Sequence, residues 1–223
     1  MSAPKTSCLI VASSAQEGVS AQSFIHAFTL THSAFSVQVA TPNGRAIEYV
    51  GQDDNSRRWL NEFRTKPFAN PTSLQSIDAS RYSVLLIPSC PGALHDLASD
   101  TVLAQILDHF MAEKKPICAV GFGVGALCCT KRDPSQPWNF ASYCMTAPSV
   151  FELARGPDLS TMPIILEDYI KDAGANYSAS EPDAVHVVVD RHLITGQNEQ
   201  STLTAVQNLI LLSNARQSKL AGK

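Results

Sequence analysis

Residues 116–127 read Pro-Ile-Cys-Ala-Val-Gly-Phe-Gly-Val-Gly-Ala-Leu, an apolar strand running into a glycine-rich turn and then a helix. A strand-to-helix elbow of this kind holds its tip residue in a strained backbone conformation, so that a Ser or Cys stands over the strand ends beside N–H groups that stabilise an oxyanion. Its chemistry is nucleophilic attack on a carbonyl. Here the tip is Gly121, which adopts the conformation freely because it has no Cβ and which brings no nucleophile. Other reactive groups stand elsewhere. Cys90, on a loop facing the elbow, reads either as a relocated thiol or as a plain pocket-lining one. Glu17 either binds a ligand amine or charges the N-terminus of the first helix. Phe122, next to the tip, narrows the pocket mouth or simply packs, and His186 and His192 flank a hairpin as ligand contacts or as a cross-strand surface pair. No CxxC or His-x-x-x-His spacing occurs, so neither a metal nor a cofactor is expected.

The elements that must position these residues alternate between strand and helix, the mark of a parallel sheet covered on both faces. Strands are expected at Cys8–Ala12, Ser36–Thr41, Val84–Pro88, Ile117–Gly121, Val185–Val189 and Leu193–Thr195, the last two forming a hairpin about Asp190-Arg191-His192. Helices are expected at Ala21–Ser33, Arg57–Phe63, Thr101–Glu113, Gly125–Thr130, Ile164–Asp172 and Ser201–Leu212. Val102, Leu103, Ile106, Leu107 and Phe110 recur at helical spacing and give the third helix a core-facing side. Ala46–Leu74 and Lys131–Phe140, the latter with Pro134, Pro137 and Trp138, read as irregular surface excursions rather than linkers.

Composition sets the outer limits. The 223 residues, 44% hydrophobic and 17% charged, suit one domain spanning 1–223 with an ordered core of about 7–213. A formal charge of −3, from 17 Lys+Arg and 20 Asp+Glu, argues against nucleic-acid binding by this chain alone. Met1–Thr6 is polar and leads directly into the first strand, and no apolar run approaches spanning length, so a soluble intracellular protein is expected. The six cysteines read as reduced thiols, because Cys8 and Cys118 lie in buried strands and the adjacent pair Cys128-Cys129 would make a strained bridge.

Tyr82–Gly92, Asp96-Leu97, the Thr101 helix, Lys115–Gly121 and the tail Asp183–Asn198 followed by Ser201-Thr202 together resemble the PfpI and Parkinson-disease deglycase superfamily. The resemblance runs from Cys8 to about Leu212 and implies an α/β flavodoxin-like three-layer sandwich, a mostly parallel sheet with helices on both faces, of the class I glutamine amidotransferase-like kind. Active members carry a cysteine where this chain has Gly121, a histidine where Thr146-Ala147-Pro148 places Ala147, and an acidic residue where the best register places Val19. The glycine pair that lends oxyanion-hole amides corresponds to Ser89-Cys90. The resemblance therefore implies a vestigial elbow of Gly121, Ala147 and Val19 and a vestigial pocket of Glu17, Ser89, Cys90, Gly121 and Phe122, without catalytic groups.

The branch resembled most, through Glu17–Phe24, Leu86–Leu94 and Ser178–Asp183, implies a pseudoenzyme. Its role would be that of a homotetrameric structural subunit of the FERRY complex, an early-endosomal Rab GTPase effector in mRNA localisation and transport. On that reading the chain is cytoplasmic and peripherally endosomal. It meets the other FERRY subunits directly, reaches the Rab GTPase and mRNA only through the complex, and inserts into no membrane. Trp59, Phe63 and Phe68 are candidates for the subunit contact, unless their rings fold back onto their own domain. The alternatives are a hydrolase, glyoxalase or deglycase using Cys90, or a small-molecule sensor using the vestigial pocket.

Overall fold

The structure, a computed structural model, describes residues 6–131, 133 and 135–222. Met1–Lys5, Arg132, Pro134 and Lys223 lie outside the described residues. In chain order the strands are β1 (Ser7–Val11), β2 (Val19–Ser20), β3 (Ser36–Thr41), β4 (Tyr49–Val50), β5 (Thr72–Ser73), β6 (Val84–Ile87), β7 (Ile117–Val120), β8 (Cys144–Met145), β9 (Asn176–Tyr177), β10 (Val187–Asp190) and β11 (Leu193–Gly196). The helices are α1 (Ala21–Ala34), α2 (Asp54–Phe63), α3 (Thr101–Ala112), α4 (Val150–Leu153), α5 (Leu166–Asp172) and α6 (Thr202–Ala221). Seven strands form one sheet in the order β10-β11-β7-β6-β1-β3-β5, parallel except for the hairpin strand β10. β2 pairs with β4 and β8 with β9 as separate two-strand ladders.

This order decides where a site can form. From β1 the chain steps to β3 on one side, and from β6 it steps to β7 on the other, so right-handed crossovers put α1 and α3 on opposite faces. The direction changes between β1 and β6, and a crevice opens there beyond the carboxyl ends of the strands. Central strands covered on both faces must be apolar throughout, and Leu9, Ile10, Leu85, Leu86, Ile87 and Ile117 through Val120 are all fully buried. Among the described residues no helix is long and apolar enough to cross a membrane.

The sheet and its α/β layering match the sequence expectation, with differences that have local causes. The hairpin turn is tighter than expected, since Asp190 pairs with Leu193 and leaves Arg191, at φ +56°, and His192 to reverse the chain. α2 begins three residues early, where the Asp53 side chain accepts from Ser56 N–H while Ser56 Oγ accepts from Asp53 N–H. The helix expected at Gly125–Thr130 starts at Gly121, as a tight 3₁₀ helix straight off the strand end.

The aromatic residues of the Ala46–Leu74 excursion pack on their own domain. Phe63 is buried, its ring 4.9 Å from Phe28 and 5.2 Å from Trp59, while Phe68 stacks on Phe28 at 5.3 Å. Rings this close share apolar area with one another and with Phe24, so they bind the excursion to α1, with Phe63 buried and Trp59 and Phe68 half-buried.

The two hairpin histidines do not pair either. His186 holds Ser178 Oγ and Ser180 Oγ with its two ring nitrogens, at 3.1 and 2.9 Å. His192 is buried edge-on to Tyr143, with Nε2 3.2 Å from Met111 Sδ. Burial holds the His192 pKa below its ordinary value, and the charges of Arg191 and Lys114 act in the same direction. The unfolded chain therefore takes this proton at about pH 6.5 and the folded chain only below it, so stability present above that pH is lost as the pH falls through the folded value. One proton allows a slope of at most about 1.4 kcal/mol per pH unit. Urea midpoints measured from pH 7.5 to 5.5 are expected to fall less in His192→Gln than in wild type, and parallel falls would reject the assignment.

Candidate functional site

The carboxyl ends of β6 and β7 open into a cavity of about 320 Å³. Ser20, Val50, Ser89, Gly121, Phe122, Glu152, Leu153, Asp183, Asn198 and Glu199 contribute to its wall. The elbow forms its floor. Gly121 leaves β7 at φ +53°, the left-handed conformation in which any side chain costs strain. A Cβ on it would fall 2.4 Å from Ser89 Oγ and 3.0 Å from Ser89 Cβ. The room a nucleophile's stem needs is thus filled by a serine from the loop that follows the neighbouring strand β6. Gly123 fits more closely still, since a Cβ there would meet the carbonyl oxygens of Pro88 at 2.3 Å and Ile87 at 2.9 Å.

The backbone donors opposite the elbow are also engaged. Ser89 N–H donates to Ser23 Oγ at 2.9 Å, and Ser23 Oγ lies 2.9 Å from Thr202 Oγ1, a buried hydroxyl chain joining the loop to α1 and α6. Of the amides matched to an oxyanion hole, that of Ser89 has no hydrogen left for a substrate. Ala147 is fully buried, and its carbonyl accepts from Tyr177 OH at 3.0 Å, so no imidazole stands at the base position. Val19 is buried in β2, its N–H bonded to Glu48 O at 2.8 Å, and offers no carboxyl.

Two members expected in this pocket lie outside it. Cys90 is fully buried and absent from the cavity wall, with its thiol pushed up to about 12 by burial and a smaller push from Asp96. A thiol so sealed carries almost no thiolate, which argues against its use as a relocated nucleophile. Glu17 lies in an adjoining groove with Leu94, His95, Asp158 and Met162, its Oε1 3.8 Å from His95 Nδ1. Only Pro91 and Phe122 belong to both spaces.

The acidic wall was not visible in the sequence, because its members come from separate segments. α4, capped by Ser149 accepting from Glu152 N–H at 3.0 Å, carries Glu152 to the rim. Its carboxylate accepts from Asn198 Nδ2 and Gln197 Nε2, both at 3.0 Å, and from Asp183 N–H at 3.1 Å. Glu199 accepts a short hydrogen bond from Ser20 Oγ, and Asp183 pairs with Arg155 at 2.6 Å. The run Gln197-Asn198-Glu199 directly after β11 was the available signal, since residues just past a parallel strand's carboxyl end face the crevice. Among the described residues no group of three or more His, Cys, Asp or Glu is placed to hold a metal ion. The arrangement has hydroxyls and carboxylates for holding a molecule and, at the elbow tip, Gly121 in place of a nucleophilic side chain.

No protein-family model matches the chain. Curated relatives do: glutamine amidotransferase-like class 1 domain-containing protein 1 of Xenopus laevis is 62% identical over 213 residues, covering 95% of this chain and 92% of that protein. The Homo sapiens protein of the same name is 58% identical over 212 residues, covering 95% of this chain and 96% of its own. Among solved structures, the 24 kDa rapid encystment protein of Francisella tularensis superposes with a TM-score of 0.82 at 21% identity, over 93% of this chain and 99% of that one. Glyoxalase III of Candida albicans gives 0.79 at 17% identity, over 92% and 96% of the two chains. DJ-1beta of Drosophila melanogaster gives 0.61 at 16%, over 92% and 89%. At these identities the structures establish a shared flavodoxin-like fold and leave chemistry to the site itself.

Proposed function

This chain belongs to the family of glutamine amidotransferase-like class 1 domain-containing protein 1, and on that premise we propose that it is a pseudoenzyme serving as a structural subunit of the FERRY complex. That complex is an early-endosomal Rab GTPase effector in mRNA localisation and transport. The observation that carries the loss of catalysis is the elbow, where Gly121 has no side chain and Ser89 fills the place of one. Ala147 without a base and Cys90 without access point the same way. The assembly role rests on the family resemblance, and the net charge of −3 agrees with partner chains supplying the RNA-binding surface. In this reading the protein is a closed homotetramer, peripheral to the early endosome, that touches the Rab GTPase and mRNA through its partners.

The test is affinity purification of the native protein from cytosol at rising salt, with identification of what remains bound and light scattering on the isolated chain. The proposal expects a multi-subunit endosomal assembly that survives the wash and an isolated mass about four times the 24.0 kDa chain. Recovery as a lone monomer, or measurable turnover of glyoxals or amides by the purified protein, would overturn it.

A further inference from the structure

We infer that the cavity over the elbow binds a small primary amine, taken up as its ammonium cation. Its wall carries the carboxylates of Glu152, Asp183 and Glu199 and, among the described residues, no lysine, arginine or histidine. Arg155 already balances Asp183, so the charges of Glu152 and Glu199 face the space unmatched. A carboxylate offers about four lone-pair sites. Glu152 uses three through its two oxygens, and Glu199 Oε1 receives no hydrogen bond from the described residues while Oε2 holds Ser20.

Ser89 supplies the independent sign of a ligand. It is 5% exposed and lines the same cavity, yet its Oγ makes no hydrogen bond to any described residue, although its N–H and carbonyl are both engaged. Among the described residues the sealed side-chain oxygen without a partner is Thr146 Oγ1, whereas the Ser89 oxygen opens onto the cavity and is free to accept from what enters it. An ammonium group has three N–H donors and accepts nothing, so it seeks what this cavity presents: the Glu199 carboxylate, the remaining capacity of Glu152, and the Ser89 oxygen. An anion meets the same carboxylates as repulsion. Phe122, Leu153 and Val50 supply apolar wall for a short alkyl chain, and about 320 Å³ suits a small ligand. The inference is independent of the assembly role, since it requires only the folded chain.

The test is a titration of the full-length protein with n-pentylamine, followed by amide NMR shifts, with n-pentanol and pentanoate as matched probes. The amine is expected to give saturable shifts at Gly121 and Phe122, the alcohol to bind at least about tenfold more weakly, and pentanoate not to bind. Glu199→Gln preserves shape and can still accept from Ser20, and it is expected to weaken the amine about tenfold with little change in the urea midpoint. Ser89→Ala is expected to weaken it a few-fold. Pentanoate binding as well as the amine, an unchanged affinity in Glu199→Gln, or no saturable shift at the elbow at tens of millimolar amine would each overturn the inference. Should Glu199→Gln fail to fold, the comparison of amine with pentanoate on the wild-type chain decides by itself.

Discussion

Gly121→Cys is expected to leave the turnover of glyoxals and amides at the level of the wild-type chain, although it restores the residue that active members of the superfamily carry. Three obstacles remain after the substitution. The new Cβ would stand 2.4 Å from Ser89 Oγ, so that side chain must rotate away or the thiol must be displaced from the attacking position. Ala147 offers no base, and a positioned general base contributes about 10²–10⁴-fold. An unassisted thiol is only a few per cent thiolate at pH 7. The third obstacle is the missing donor, because Ser89 N–H is bonded to Ser23 Oγ, and losing one oxyanion donor costs about 10²–10³-fold elsewhere. A rate for Gly121→Cys clearly above wild type, in a methylglyoxal-consumption assay, would mean that the cavity holds an acid or base from another element.

Gly123→Ala is expected to destabilise the chain by about 3 kcal/mol or more, at the upper end of what an added methyl usually costs in a packed interior. The reason is what the methyl would strike. Its neighbours are the main-chain oxygens of Pro88 and Ile87, which cannot swing aside as a side chain can, so β6 and the start of the Gly121–Thr130 helix would have to separate. Gly156→Ala is the internal control, because the same methyl would lie 3.5 Å from Leu153 O, an ordinary contact. Urea unfolding of the two variants is expected to differ by most of that amount. A Gly123→Ala midpoint within error of Gly156→Ala would show that the elbow is looser than these distances imply.

The central strands were legible because burial on both faces leaves an unbroken apolar run, as in Val84–Ile87 and Ile117–Val120. The two-residue strands at Val19, Tyr49, Cys144 and Asn176 were not, since two residues carry no periodicity and exist only through their partners. α6 runs on to Ala221, well past Leu212, because its last turns carry polar side chains that helical apolar spacing cannot register. At the site, Gly121 could be read directly, as a missing side chain is visible in the letters themselves. Two other placements could not. Cys90 follows a buried strand by three residues, and nothing in Pro88-Ser89-Cys90-Pro91 says which of the serine and the cysteine faces the cavity; the fold turned Ser89 toward it and Cys90 away. The pairing of Glu152 with Asn198 joins residues 46 apart in sequence, and only the closed crevice brings them together.

The Ser89 side chain in the space beside Gly121 has a consequence for which substitutions can follow one another. Replacing Gly121 with a side chain meets Ser89 and the strain of the left-handed conformation, about 1–2 kcal/mol for an L-residue. Clearing Ser89 first, by Ser89→Gly, leaves a hole beside a glycine and gains nothing until position 121 changes too. The effect of a change at either position therefore depends on the residue at the other, and a side chain at position 121 is expected to be better tolerated in Ser89→Gly than in this sequence. The elbow and the Ser89 loop are in that sense one unit, in which a side chain enters at position 121 only as room is made at position 89.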